Sequence, residues 1–148
     1  MNKIVRKERF SEKVVRLDIE APLIARSRRP GNFVIVKIDD KGERIPLTIA
    51  SSDIEKGTIT LVVQAVGHSS ARLCELNEGE TIADVVGPLG RPTDIRNYGS
   101  VVCAAGGVGN APMLAIIEAM KKAGSKVIAV LAGRNKDLII LEDQVREF

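Results

Sequence analysis

The stretch AAGGVGNAPML, residues 104–114, decides how the rest of the chain is read. It completes the apolar run SVVCAA (100–105), the pattern of a strand buried on both faces. It leads into APMLAIIEAMKKAG (111–124), where Leu114, Ile117 and Met120 recur at helical spacing beside Ala115, Ile116 and Ala119. Pro112 suits the first helical turn, where its missing N–H costs nothing. Lys121 and Lys122 suit the last turn, and Gly124 closes it. Between strand and helix, Gly106, Gly107 and Gly109 let the backbone turn tightly and let a phosphate come close, with Val108 and Asn110 filling the loop. The helix start offers free N–H groups to negative charge. A tight turn that binds nothing would also use glycines. The flanking strand and helix favour the binding reading. Pro112 makes the pattern G-x-G-x-x-P, not the ordinary G-x-G-x-x-G.

Downstream, KVIAVLAG (126–133) reads as a second buried strand. DLIILEDQVREF (137–148) predicts a second helix, giving β-α-β-α, the opening of a doubly wound parallel sheet. The end of the second strand would face an adenosine ribose. There the sequence has Gly133 and Arg134, then Lys136 and Asp137. An arginine at this place leans toward a 2′-phosphate, and a solvated loop cation fits equally, so NADH against NADPH stays open.

Upstream of residues 95–99 the pattern changes. KVVRLDIE (13–20), FVIVKID (33–39), RIPLTIAS (44–51), TITLVVQAV (58–66) and ETIADVVG (80–87) are short strand signals separated by Gly and Asp turns. One short helix, SARLCEL (70–76), interrupts them. The expected architecture is an antiparallel barrel over residues 1–97 followed by a partial α/β domain over 98–148. The open edge and apolar helix faces of that partial domain predict a loosely ordered tail or one buried against a second copy, a homo-oligomer.

The chain has 148 residues with a formal charge of +3, from 22 basic and 19 acidic residues, too mild a balance to argue for nucleic acid. Arg26, Arg28 and Arg29 form the densest basic cluster and read as a solvated loop. Cys74 and Cys103 are far apart and read as small buried hydrophobes, neither a disulfide framework nor a metal site. No apolar run approaches a membrane span, and the charged N-terminus MNKIVRKERF does not read as a secretion signal, so the expected location is cytoplasmic.

A second phosphate site is legible in QAVGHSSARL (64–73). A strand ends at Gly67, and Ser69 and Ser70 stand at a helix start, where an ordinary serine cap is the alternative. His68, the one histidine, has no partner at metal or triad spacing. No G-x-S-x-G nucleophile and no acid–base pair of carboxylates is found.

Taken together, PGNFV (30–34), IPLTIAS (45–51), VGHSS (66–70), VGPLG (86–90), GGVGNAPM (106–113) and AGRNKD (132–137) resemble the ferredoxin–NADP reductase superfamily. Within it the likeness is to the small subunits of NADH-dependent ferredoxin–NADP oxidoreductases, also called sulfide dehydrogenase subunits, and to dihydroorotate dehydrogenase electron-transfer subunits. The resemblance implies a barrel that binds FAD and an α/β domain that binds NAD(P)H. It sets Ile45, Pro46, Leu47 and Thr48 in the register of the family's Arg-Pro-Leu-Ser flavin motif. Leu47 would lie on the flavin ring, and Thr48 would hydrogen-bond the flavin or its ribityl arm. The motif's arginine is displaced to Arg44, which strand alternation turns away from the phosphates. Ser70, with Gly67 and His68 before it, matches the family's diphosphate helix. Val62, Val63 and Gln64 would lie along the flavin or its adenosine part, and residues 106–112 would hold the nicotinamide nucleotide's pyrophosphate.

The family's later strands, and the cysteine cluster that holds a 2Fe–2S centre in the two similar groups, have no counterpart in these residues, so the resemblance implies a truncated chain. The expected activity is hydride transfer between NAD(P)H and FAD, then single electrons to an iron–sulfur partner, a ferredoxin or a dehydrogenase subunit. The alternative is a non-catalytic FAD-binding or subunit-docking module.

Overall fold

The computed structural model describes residues 1–148. Seven strands form an antiparallel sheet: β1 (Asn2–Arg9), β2 (Val14–Glu20), β3 (Phe33–Lys37), β4 (Ile45–Asp53), β5 (Thr58–Gln64), β6 (Thr81–Ile82) and β7 (Asp84–Leu89). Their spatial order is β6-β1-β2-β5-β4-β3-β7. The two outer strands, β6 and β7, are consecutive in the chain, so the single segment 81–89 bends at Ala83 and nearly closes the sheet into a barrel.

Alternation explains the barrel's core. Val15, Leu17 and Ile19 of β2 face inward with Ile59, Leu61 and Val63 of β5, and Val34 and Val36 of β3 join them. All of these are essentially solvent-free, and each contributes roughly 1.5–3 kcal/mol of burial. Helices α1 (Pro22–Ser27) and α2 (His68–Glu75) plug the barrel with Ile24, Ala25, Leu73 and Cys74. Cys74 is thus the buried hydrophobe expected, and burial raises its thiol pKa.

The remaining elements are β8 (Ser100–Gly106), α3 (Asn110–Lys122), β9 (Lys126–Ala132) and α4 (Glu142–Arg146). β8 and β9 pair in parallel, from Ser100↔Lys126 to Gly106↔Ala132. α3 crosses over between them and also packs on β4, tying the α/β part to the barrel. A second apolar cluster seals that junction: Val14, Ala50 and Val62 from the barrel's outer surface meet Ala111, Ile140 and Leu141.

Several expectations need correction. β8 and β9 are covered on one face only: Val102 is 67% exposed, Ile128 49% and Val130 48%. The segment 137–148 is not one helix. A 3₁₀ turn at Lys136–Leu138 is followed by non-helical Ile139–Leu141, and only then by the five-residue α4. The tail is partly covered within the chain itself. Its Ile140 and Leu141 are buried on this chain's own barrel. α2 begins two residues before the expected Ser70, with Gly67 as its cap. Arg28 is not simply solvated: it is half-buried, donates from Nε to Ser52 Oγ at 2.7 Å, and burial lowers its pKa. No helix is long and apolar enough to cross a membrane.

Candidate functional site

The glycine loop stands where β8 ends. Gly106 completes the strand, residues Gly107–Gly109 make one 3₁₀ turn, and α3 starts at Asn110. Gly107 has φ +56°, a conformation costly for a residue with a Cβ. Gly109 is different. Its φ is −63°, and a Cβ built there would meet nothing within 4 Å. Neither strain nor crowding within the chain calls for glycine at 109, and what its absent side chain leaves is open space beside a helix start. Pro112 lies in the first turn of α3.

The same description fits the barrel's candidate. Gly67, the cap of α2, has extended φ of −158°, and a Cβ on it would meet nothing within 4 Å. The first intrahelical bond runs from Ala71 N–H to Gly67 O, so the N–H groups of His68, Ser69 and Ser70 have no helical acceptor. Ser70 Oγ accepts from the Val66 and Gly67 N–H groups at 3.0 Å and donates to Gly67 O, which uses all its bonding capacity. Ser69 Oγ donates to Glu43 Oε2 at 2.6 Å. The open groups at this helix start are therefore backbone N–H groups, with both serine hydroxyls already engaged. His68 is exposed.

A cleft of ≈ 660 Å³ lies between the segment that leads into α2 and the glycine loop that leads into α3. Gln64 and Val66, which run directly into Gly67, form one wall. Gly106, Gly107 and Val108 form another, and Gly133 and Arg134 close the far end. No carboxylate lines this cleft, and Arg134 is its one cation. Gly133 is required for space: a Cβ there would come within 3.0 Å of Asn135 O. Pairing of β8 with β9 brings Gly106 beside Ala132, so the loop and the Gly133–Arg134 turn are placed together by the parallel register.

Other expected residues are placed differently. Val63 faces the barrel core and Val62 packs beneath Ala111 and Ile140, so of the trio 62–64 only Gln64 opens to the cleft. Ile45 and Leu47 lean on the core, whereas Pro46 and Thr48 alternate onto the other face, opposite Ile35 and Phe33. Arg44 pairs with Asp84 on β7 at 2.8 Å. Sequence reading missed Glu43, which lies in a charged turn with no spacing that would single it out.

The α2 start keeps N–H groups open, Gly67 and Gly109 have no internal reason to be glycine, and the cleft beside the glycine loop holds an unpaired arginine and no acid. They fit diphosphate-bearing ligands.

Over 147 residues the chain is 44% identical to the "dihydroorotate dehydrogenase B (NAD(+)), electron transfer subunit homolog" of Thermotoga maritima, covering 99% of this chain and 52% of that protein. It is 30% identical to the electron transfer subunit of dihydroorotate dehydrogenase B from Bacillus caldolyticus, covering 94% and 56%. A solved structure of an NADH-dependent reduced ferredoxin–NADP oxidoreductase superposes with a TM-score of 0.95 at 44% identity, over 99% of this chain and 53% of that one. Along nearly all of its own length the chain is thus similar to electron-transfer subunits and to a ferredoxin–NADP oxidoreductase. No family model matches it. The chain spans about half the length of the curated relatives it matches. Phthalate dioxygenase reductase, at 18% identity and a TM-score of 0.79, shares the fold.

Proposed function

We propose that this chain is the flavin-binding and nucleotide-receiving part of an electron-transfer subunit of the ferredoxin–NADP reductase superfamily. One observation carries the reading: Gln64 and Val66, just before α2 on the barrel, and Gly106–Val108, just before α3 on the α/β part, line one cleft. A flavin and a nicotinamide must meet for hydride to pass, and a shared cleft is what that meeting requires.

When bound, FAD supplies the hydride and single-electron chemistry, and NAD(P)H the hydride. The chain's own work is to bind, orient and shield. The N–H groups at residues 68–70 would take the flavin's diphosphate. Pro46 and Thr48 on β4, with Leu47 behind them, would seat the flavin ring. The loop Gly106–Asn110 would take the nucleotide's pyrophosphate at the first turn of α3, next to Pro112, and Arg134 would face its ribose. The absence of an acid–base pair is in keeping with chemistry left to cofactors. Electrons would then pass to an iron–sulfur centre, held by a partner subunit, by a ferredoxin or by the 2Fe–2S site of a longer chain. The names of the 44% identical relatives support the electron-transfer role.

The test is a titration of the purified chain with FAD, followed by visible absorbance and fluorescence, then addition of NADH or NADPH without oxygen. Retained flavin that either nucleotide bleaches supports the reading. Flavin retained but unbleached leaves a binding module, which the exposed β8–β9 face would suit as a docking surface. No retention of FAD overturns the flavin assignment.

A further inference from the structure

The turn between β3 and β4 is fastened to α2 at two points. Asp39 takes the Arg72 guanidinium, and Glu43 takes the Ser69 hydroxyl at 2.6 Å. Residues 69 and 72 lie three apart, on one face of the helix, so residues 39–43 run along it as a strap. The two fastenings differ. Asp39 meets a cation, which stabilises its charge and lowers its pKa. Glu43 forms no ion pair and meets only a neutral hydroxyl, one residue past the open first-turn N–H of His68.

That placement opposes the site's proposed use. A diphosphate at the α2 start would bring negative charge against an uncompensated carboxylate. It would also need a donor that the carboxylate already holds. Ser70 cannot substitute, because its hydroxyl is committed to the cap of its own helix. Ser69 is the one hydroxyl at this helix start whose partner lies outside the turn.

We propose that Glu43 is an affinity-setting residue for the diphosphate: it holds Ser69 in the ligand-free chain and gives it up when the diphosphate arrives. The inference rests on the flavin reading above and goes beyond it, because it assigns a residue that disfavours the ligand. On binding, the Ser69 O–H turns from the Glu43 carboxylate to a phosphate oxygen, and Glu43 swings out to solvent. The Asp39–Arg72 pair keeps the other end of the strap attached. The carboxylate therefore acts as a competitor for the Ser69 hydroxyl.

The experiment compares the 148-residue chain with Glu43→Gln, which keeps an acceptor for Ser69 and removes the charge. FAD, ADP and riboflavin are titrated at low and high salt. FAD and ADP carry the diphosphate; riboflavin has the ring alone. Interactions between exposed charges are weak and screened by salt, so the variant binds FAD and ADP about threefold tighter at low salt. The gain shrinks at high salt, and riboflavin is unaffected. Unchanged thermal unfolding shows that the variant folds. If the parent chain binds FAD while the variant's FAD and ADP affinities and salt dependence match the parent's, the role of Glu43 is overturned and the flavin reading stands. An equal gain for riboflavin also overturns it, since the effect is then not on the diphosphate. If neither protein binds FAD or ADP, both readings fall.

Discussion

The side chain of Asn110, removed from solvent at the head of α3, donates from Nδ2 to the Ile140 carbonyl at 3.3 Å, while its Oδ1 has no partner. One amide thus pins the segment after β9 to the residue that follows the glycine loop. The pinned segment is under strain: Leu141, the next residue, has φ +64° and is buried. A left-handed turn at a branched side chain persists only where its surroundings hold it. Here those surroundings are the Asn110 bond and the cluster of Val14, Ala50 and Val62.

Replacing Asn110 separates the two halves of its amide. Asn110→Leu removes one orphaned acceptor, the amide Oδ1, and leaves another, the buried Ile140 carbonyl, each costing about 1–3 kcal/mol, so stability changes little. Asn110→Asp keeps the shape but buries a charge, and destabilises by more than about 2 kcal/mol at neutral pH. Urea denaturation of the two variants measures both. A Leu variant as damaged as the Asp variant would show that the tether matters far more than the orphan.

The glycines give a cleaner separation of folding from binding. Gly109→Ala meets no atom and needs no unusual φ, so the melting temperature stays the same or rises slightly. The new methyl stands in the space where a pyrophosphate would approach, and nucleotide affinity falls about tenfold, ~1.4 kcal/mol. Gly107→Ala lowers stability by about 1 kcal/mol through its positive φ. Calorimetric melts and NADH or NADPH titrations on the same samples check both. If Gly109→Ala binds nucleotide as the parent does, the open space has another reason.

That loop was legible because strand, glycines and helix follow one another locally. So was the barrel, since β2, β3 and β5 alternate with period two. What was not legible depended on distant partners. β1 looks like a charged N-terminus, because of its eight residues only Ile4 is buried; β2 and β6 on either side make it a strand. α1 hides in a basic stretch that buries just Ile24 and Ala25. The apolar run Leu138–Leu141 looks like the start of a helix, but the barrel's outer cluster takes Ile140 and Leu141 instead, and packing overrides propensity. At the site, no spacing rule reveals that Glu43 reaches Ser69, or that Val62 and Val63 are used for packing.

Both thiols are predicted to be unreactive in the folded chain. Burial raises the pKa of Cys74 and of Cys103, leaving little thiolate, and neither is bonded to the other. A thiol reagent at mildly alkaline pH therefore labels the native protein slowly and the urea-unfolded protein quickly. Rapid labelling of Cys103 alone would mean that the β8–β9 pair opens independently of the barrel.

The Asp39–Arg72 pair carries a pH signature. The hydrogen bond from Arg72 is the largest of the effects holding the Asp39 pKa below its ordinary value. A depressed carboxylate contributes stability above its unfolded pKa and loses it as pH falls through the lower folded value. The strap therefore loosens only in acid, below the ordinary carboxylate range. In Arg72→Gln the Asp39 titration moves up toward the ordinary value, as NMR of the side-chain carboxyl would show. An unmoved titration would assign the depression to the turn's own N–H groups at Lys41 and Gly42.

Substitution of Arg134 tests which of the two nucleotides the cleft takes. It is the one cation lining a cleft without acids, at the end of β9 where a ribose would lie. If it reads a 2′-phosphate, Arg134→Gln weakens NADPH binding about tenfold, ~1.4 kcal/mol, and leaves NADH nearly unchanged. An arginine that serves only the shared diphosphate would weaken both equally, and a solvated loop cation would weaken neither. Gly133 sharpens the test, since a Cβ there would crowd Asn135 O and Ile139, whereas the side chain of Arg134 can be changed with that glycine in place. The substitution leaves that backbone alone, so a selective loss of NADPH reports the side chain's charge and not a collapsed turn. Affinities of both nucleotides, measured on parent and variant at one ionic strength, give the answer directly.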